Sequence, residues 1–417
     1  MTAAKSGYPE PPASAKGTYR ALPSGVWVLG FGSLFMDTSS ELIHSLLPIF
    51  VTTVLGASMV TIGVIEGVAE AAAAITKVFS GVVSDYFRNR KFLVVLGYAL
   101  SAITKPVFPL AATIWWVFGA RFVDRIGKGI RGAPRDALVA DITPAQLRGA
   151  AYGLRQALDS VGAFVGPLLA MAFMIWLAND IKAVLWVAVV PAFIAVLLLI
   201  VAVREPESSQ PGSGTGNHLT FSDAKRLPLR YWLVVALGVV FYLARFSEAF
   251  LILRALEVGL ALGFVPAIMI VMNIVYALFA YPAGVAADRL SARTILVFGL
   301  GVLVVADVLL AMAESVLITF LGAAFWGLHM AFSQGLLSKL VADSAPTGLR
   351  GTAFGIFNLM SGGALLLASV IAGSLWSLFG ASATFAAGAS FAALAAMGLL
   401  LFRPKARAGV HTTGMCD

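Results

Sequence analysis

The sequence predicts an all-α integral membrane protein with twelve transmembrane helices in two pseudo-symmetric six-helix bundles. Three observations predict it. Of 417 residues, 59% are hydrophobic and 12% charged, against about 25% charged in soluble domains. That is too little charge to cover a water-soluble surface, and hydrocarbon is the simpler solvent. The apolar residues fall into pieces long enough to cross a bilayer, which takes about 20 residues of helix. The two halves of the chain also repeat one another.

Taken in order, residues 1–24 are polar and rich in Pro, Ala, Gly and Ser, and they lack the basic-then-apolar pattern of a cleaved signal peptide. They read as a disordered cytoplasmic tail before a retained first span. Spans are expected at 25–56, 59–83, 91–111, 113–140, 148–177 and 181–203, then at 230–256, 262–286, 293–313, 315–341, 350–377 and 381–402. The first, fourth, fifth and tenth carry enough polar residues to be missed by hydropathy alone. Residues 204–229 hold the longest polar stretch, Ser/Gly/Pro-rich over Ser208–Gly216, and read as a cytoplasmic linker. The expected units are therefore an N-terminal bundle (25–203), a C-terminal bundle (230–402) and a cytoplasmic tail (403–417).

Basic residues set the orientation. Lys5, Lys16, Arg20, Arg88, Arg90, Lys91, Arg148, Arg204, Lys225, Arg226, Arg230, Arg289, Arg293, Arg350, Arg403, Lys405 and Arg407 fall on one side, and the opposite loops are nearly bare. Both termini are expected in the cytoplasm, in a multi-pass protein of the inner cell membrane. The net charge of +8 then reflects loops facing anionic lipid rather than nucleic acid. A single cysteine, Cys416, excludes a disulfide within the chain.

The repeat is specific. Gly81-Val-Val-Ser-Asp85 recurs as Gly284-Val-Ala-Ala-Asp288. Val139-Ala-Asp141, Pro144 and Leu147-Arg-Gly149 recur as Val341-Ala-Asp343, Pro346 and Leu349-Arg-Gly351, at the same offset of about 200 residues. Two matches in register on either side of a linker indicate internal duplication, the device by which many secondary transporters build a central site.

On these residues the chain resembles the major facilitator superfamily, of bacterial efflux type, over nearly everything after residue 25. The loop after the second span is similar to that family's G-x-x-x-D-R-x-G-R-R/K signature through Gly81, Asp85, Arg90 and Lys91, with Tyr86 and Arg88 departing from it. The second copy keeps Gly284, Asp288, Arg289 and Arg293. The resemblance implies close helix approach at the glycines, and Asp85 and Asp288 acting as cytoplasmic gate latches. In the fifth span Gly153, Gly162, Gly166 and Pro167 reproduce a spacing that resembles the antiporter motif of drug exporters, although Ala170 and Met171 stand where that motif ends in glycines. This implies export, with the glycines packed against the opposite half. Helix four carries Arg121 where the family has an arginine linked to proton coupling, and helices one, four, seven and ten are expected to line the cavity.

Helix four goes beyond the family pattern. At about 100° per residue, Arg121, Asp124, Arg125, Lys128, Arg131, Arg135 and Asp136 fall within roughly 140° of one face. Scattered charges would meet lipid at a cost of at least about 2.5 kcal/mol each, so one face means one polar environment. Arg121, Asp124, Arg125 and Lys128 are read as cavity residues. For Arg131, Arg135 and Asp136 a charge network that locks helices together, or snorkelling at the cytoplasmic end, is the alternative. Candidate partners are Asp37, Glu41 and His44 on one face of helix one, Glu66, Glu70 and Lys77 on helix two, Arg155 and Asp159 on helix five, and Arg245 and Glu248 on helix seven. Glu66 and Glu70 also admit a structural, periplasmic-side role. His44 and His329 read as hydrogen-bonded cavity residues rather than metal ligands.

The expectation is a monomeric, proton-coupled exporter of a small solute, with no cofactor and no bound metal. An organic or phosphorylated anion carrier using the basic face of helix four, or a metal or cationic-drug exporter, remain open. No Gly-Lys-Ser/Thr loop supports ATP-driven transport, and Gly127-x-Gly129-x-x-Gly132 follows no strand. No nucleophile–base pair specifies an enzyme, and no soluble domain specifies a sensor.

Overall fold

The computed structural model describes residues 21–87, 89–203, 226–333, 336–346 and 349–401. Among them there is no strand. The first half contains α1 (Ser24–Ile49, continued by a π-helical turn Phe50–Val54), α2 (Met59–Phe87), α3 (Arg90–Thr104), α4 (Val107–Leu110), α5 (Ile114–Ile142), α6 (Arg148–Trp176), α7 (Ile181–Val187) and α8 (Val189–Ala202). The second half contains α9 (Leu229–Ala244), α10 (Ala249–Glu257), α11 (Ala267–Arg289), α12 (Ala292–Ala311), α13 (Val316–Ser333), α14 (Leu336–Ser344), α15 (Arg350–Phe379) and α16 (Ala381–Leu401). The third, sixth and seventh spans are broken into α3–α4, α7–α8 and α9–α10, and α13 and α14 together make up the tenth, which makes twelve crossings in two sets of six. The third span breaks at Pro106, whose nitrogen cannot donate to the preceding turn.

Among the described residues ten stretches are long and apolar enough to cross a membrane on their own. α1 and α5 are not among them, as their polar residues predict. The fifth and tenth spans, expected to be missed, do qualify. The charges of α6 (Arg148, Arg155 and Asp159) gather in its first half and leave the remainder apolar, and the charges of the tenth span fall in α14.

Side-chain caps start several helices: Asn89 accepts from the Phe92 amide, Asp180 from Ala183 and Ser291 from Thr294, each filling an amide that lacks an intrahelical partner. Within the first half the tightest seams are α1 on α6, α3 on α5 and α2 on α5, and within the second α12 on α13. Between them, α2 packs on α15 and α6 on α11. Large apolar side chains such as Trp115, Trp176 and Leu278 remain exposed, facing where acyl chains lie.

The seam between α2 and α15 places the cavity. It runs from Met59 to Ala74 on α2, against Gly362 to Gly373 on α15: a Cβ at Gly67 would come 2.9 Å from Leu366 Cδ1, and one at Gly373 2.9 Å from the Met59 carbonyl carbon. These residues lie on the side away from the linker. On the linker side, Cβ atoms added at Gly149, Gly153 and Gly284 would meet nothing within 4 Å. The apolar core follows the same division. One cluster is continuous between the halves on the far side, whereas the linker end of the first half has its own, around Leu29, Tyr98, Leu138 and Leu154. The halves are joined at the far side and apart near the linker.

Candidate functional site

A cavity of about 600 Å³ lies between the halves. Its wall comes from the first, second, fourth and fifth spans on one side and the seventh, eighth, tenth and eleventh on the other. The expected set of one, four, seven and ten is thus widened by the spans that form the two seams. The walls differ in chemistry. The first half supplies Asp37, Glu41, His44, Glu66, Glu70, Lys77, Arg125, Lys128, Arg131, Arg135 and Asp159, while the second supplies Tyr242, Phe246, Met269, Asn273, Tyr276, Met330 and Asn358 together with Arg245 and Glu248.

The charged face of α5 points inward as its periodicity predicts: Arg121, Asp124, Arg125 and Arg131 are each at most 3% exposed. Each finds a partner on another helix. Arg121 donates to Glu66 of α2 at 2.8 Å, and Arg125 meets Glu70 at 3.1 Å. His44 of α1 stands between two acids, with Nδ1 3.4 Å from Glu41 and Nε2 3.8 Å from Glu66. Arg131 lies 4.0 Å from Asp37, donates to Ser101 Oγ at 2.7 Å, and rests 4.6 Å from the Tyr98 ring centroid. Arg135 donates to Ser33 at 2.7 Å and approaches Asp136 and Asp159, and Arg155 donates to Asp159 at 2.7 Å. Five helices, α1, α2, α3, α5 and α6, are thus cross-linked around one polar volume. In a medium where an unpaired charge is so costly, this pairing is what allows the charges to be there.

Among the predicted residues, Asp37, Glu41, His44, Arg125, Lys128, Asp159, Arg245 and Glu248 line the cavity. Arg121 and Asp124 do not. Arg121 is buried behind the wall on Glu66, and Asp124 is sequestered between α3 and α5, where Lys105 Nζ donates to it at 2.9 Å and to Ser40 at 3.0 Å. Asp124 thus pairs with a buried lysine and does not face the cavity. Arg155 also lies behind Asp159. Arg131 and Arg135, for which a locking network was the alternative, both lock helices and line the cavity. Glu66 and Glu70, given a structural alternative, belong to the cavity wall. His329 is buried away from it, with Nδ1 2.8 Å from the Gly299 carbonyl. In the second half Arg245 meets Glu248 at 3.5 Å across the break between α9 and α10.

The motif glycines divide. Gly162 and Gly166 pack on α1, where a Cβ would come 2.6 Å from the Leu34 and Thr38 carbonyl oxygens respectively. They seal a seam within the first half, contrary to the expected packing on the opposite half. Pro167 sits buried inside α6 beside them, and Gly153 is open. A Cβ at Gly81 would make only ordinary contact with Ala133, and Gly284 is open, so neither marks a close approach here. Arg90 pairs with Asp141, and Lys91 donates to the Ile200 carbonyl at 3.0 Å; both contacts stay within the first half. The side chains of Asp85, Asp288 and Arg289, like residues 88, 204–225, 334 and 402–417, lie outside what the structure describes. The chance glycine string in α5 serves packing: Gly127 faces the Gly97 carbonyl of α3, and Gly129 faces Ala73 and Thr76 of α2.

Sequence reasoning missed Lys105 and Asp307. Each is a charged residue inside an otherwise apolar span, which is itself the signal that marks a functional candidate.

The profile of the Major Facilitator Superfamily matches residues 29–275 and 250–414. The uncharacterized MFS-type transporter MJ1317 of Methanocaldococcus jannaschii is 33% identical over 395 residues, covering 92% of this chain and 96% of that one. Uncharacterized protein Rv2265 of Mycobacterium tuberculosis is 28% identical over 330 residues, 78% of this chain and 80% of its own. Among solved structures, the nucleoside transporter NupG superposes with a TM-score of 0.73 at 14% identity, covering 91% of this chain and all of the other. With twelve membrane crossings in two sets of six, a polar cavity between them and these relatives, the chain is a multi-pass membrane transporter, not an enzyme, and belongs to the major facilitator superfamily.

Proposed function

We propose that the chain is a proton-coupled secondary transporter that exports a small solute by alternating access, working as a monomer in the inner membrane with both termini in the cytoplasm. One observation carries this reading: Glu41 and Glu66 share His44 at the closed end of the cavity, with Arg121 on Glu66. Burial favours the neutral form of an acid and a nearby arginine favours the charged form. A conformational change that alters these separations therefore alters proton affinity. The basic residues on the linker side support the orientation, and the partial antiporter spacing in α6 supports export. The two seams are the surfaces that must part when the cavity opens to the other side.

The test begins with a thermal-shift screen of the purified protein against organic anions, cations and metals, since a ligand of the folded state raises its melting point. For the solute so found, Glu41→Gln abolishes proton-driven flux in reconstituted vesicles while the protein stays folded. Undiminished flux removes Glu41 from the coupling.

A second reading, transport of an anion, is favoured by Lys77 and Lys128. Both line the cavity, and among the described residues neither has an ion pair or hydrogen bond from its ammonium group. If an anion is carried, Lys128→Gln weakens an anionic ligand at least ten-fold more than a cationic one. Equal effects on both return Lys128 to a structural role.

A further inference from the structure

Away from its ends α12 carries one charged side chain, Asp307. It is fully buried, and neither carboxyl oxygen has a hydrogen-bond partner among the described residues. Among the described residues its surroundings offer no compensation. α16, packed along α12, contains no ionisable residue. From α13 the titratable group facing α12 is His329, whose ring reaches Gly299, two turns away from Asp307. Arg254 of α10 directs its donors to the Leu310 and Ala313 carbonyls and to Glu257. An ionised carboxylate here would be dry and unpaired, a condition that proteins escape by keeping the proton.

The site has a route out. A Cβ at Gly388 of α16 would lie 2.7 Å from Asp307 Oδ2 and 2.8 Å from Phe246 Cε1, so the carboxyl and the ring edge are neighbours over one glycine. Phe246 lies on the cavity wall and in the break between α9 and α10, bracketed by Arg245 and Glu248. Behind it stands Trp326, fully buried, with its ring 5.4 Å from that of Phe246 and its Nε1–H without an acceptor among the described residues. Phe246, mounted on a helix break, thus faces the cavity and also lies beside the buried acid. Broken helices at mid-membrane are where transporters place movable contacts.

We propose that Asp307 is a second proton-carrying site, in the second half, occluded from the cavity by the Phe246 ring and exposed when the break at residues 245–248 rearranges. On exposure the carboxyl O–H bond breaks, the proton passes to cavity water, and a carboxylate remains that water must solvate. Deprotonation thus favours the conformer in which the ring has moved. This goes beyond the coupling proposed above, which lies wholly in the first half, and its test requires no knowledge of the solute.

Infrared spectroscopy of the purified full chain reads the protonated carboxyl directly through its C=O stretch. A band lost in Asp307→Asn, a neutral near-isostere that leaves the fold intact, is expected at about pH 7, where a free aspartate is ionised. Dicyclohexylcarbodiimide, which adds to protonated carboxyls, should modify the peptide that contains Asp307, at least ten-fold faster in Phe246→Ala than in the parent. The band should also diminish in Phe246→Ala as pH is raised to about 9. Absence of the band in the parent, or equal labelling in parent and Phe246→Ala, overturns the proposal. So does a band that fails to titrate even with the ring removed, since that describes a permanently protonated packing group.

Discussion

Replacing Gly63 with alanine places a methyl group against the Ser369 carbonyl, 2.9 Å from its carbon and nearer still to its oxygen. Both obstacles are backbone, so neither can rotate aside, and α2 and α15 must separate locally. Overpacking of this kind costs about 1–3 kcal/mol. The cost falls only on conformers in which the far ends of the halves are together, because a parted seam has room for the methyl. The equilibrium between conformers should then shift about 5–150-fold toward the one open on the far side. The assay is a distance distribution between spin labels at Ser58→Cys and Phe379→Cys, two exposed far-side positions, in a Cys416→Ser background. Gly63→Ala should add or enlarge a long-distance population, and Gly373→Ala, facing Met59 across the same seam, should do the same. An unchanged distribution in both variants, accompanied only by a lower melting temperature, would refute the assignment of this seam as a closed gate.

The same logic gives the opposite result inside one half. Gly166→Ala drives a methyl into the Thr38 carbonyl and should lower thermal stability by about 1–3 kcal/mol while leaving the spin-label distances unchanged. Arg121→Met strands Glu66, 3% exposed, and should cost about 3–5 kcal/mol, whereas Arg121→Met with Glu66→Leu recovers most of it, because an apolar pair avoids the desolvation penalty. Purely additive losses in a thermal-shift cycle would rule out that coupling. Lys105→Met leaves Asp124 facing arginines but without its direct donor, and should destabilise comparably; Lys105→Arg is not a rescue, since the site is sized for an ammonium between Ser40 and Asp124.

Most of the architecture was legible because the bilayer imposes length on every span and the duplication repeats its markers. The exceptions teach more. α1 and α5 escape hydropathy because of the polar and charged residues they carry, and only the single-faced placement of those charges marks them as spans. The partners of α5 were partly legible: Glu66 and Glu70 follow from helical spacing on α2, but the choice between cavity wall and far-side structure depends on tilt and register that sequence does not encode. Lys105 is a lone base in the third span, with no row of charges on its face to point to its partners Ser40 and Asp124. The antiporter-like glycines were placed on the wrong seam, since a glycine face states that a close neighbour exists and not which helix supplies it.

The two halves share sequence markers but present different chemistry to the cavity. The first half holds its acids and bases in pairs across α1, α2, α5 and α6, and each pair ties one helix to another. Such a bundle resists internal deformation, because separating any buried pair exposes two charges at once. The second half has few such ties. Its wall is aromatic and amide-bearing, and its seventh span is interrupted at Arg245–Glu248, beside the cavity. Deformation during transport should therefore concentrate in α9–α10 and their neighbours, with the first half moving as a rigid body. Hydrogen exchange provides the comparison: amides flanking residues 245–248 should exchange faster than those of Arg121–Arg131, and solute binding should slow the former far more than the latter. Equal protection of both segments would mean that the charge network does not confer the rigidity assigned to it.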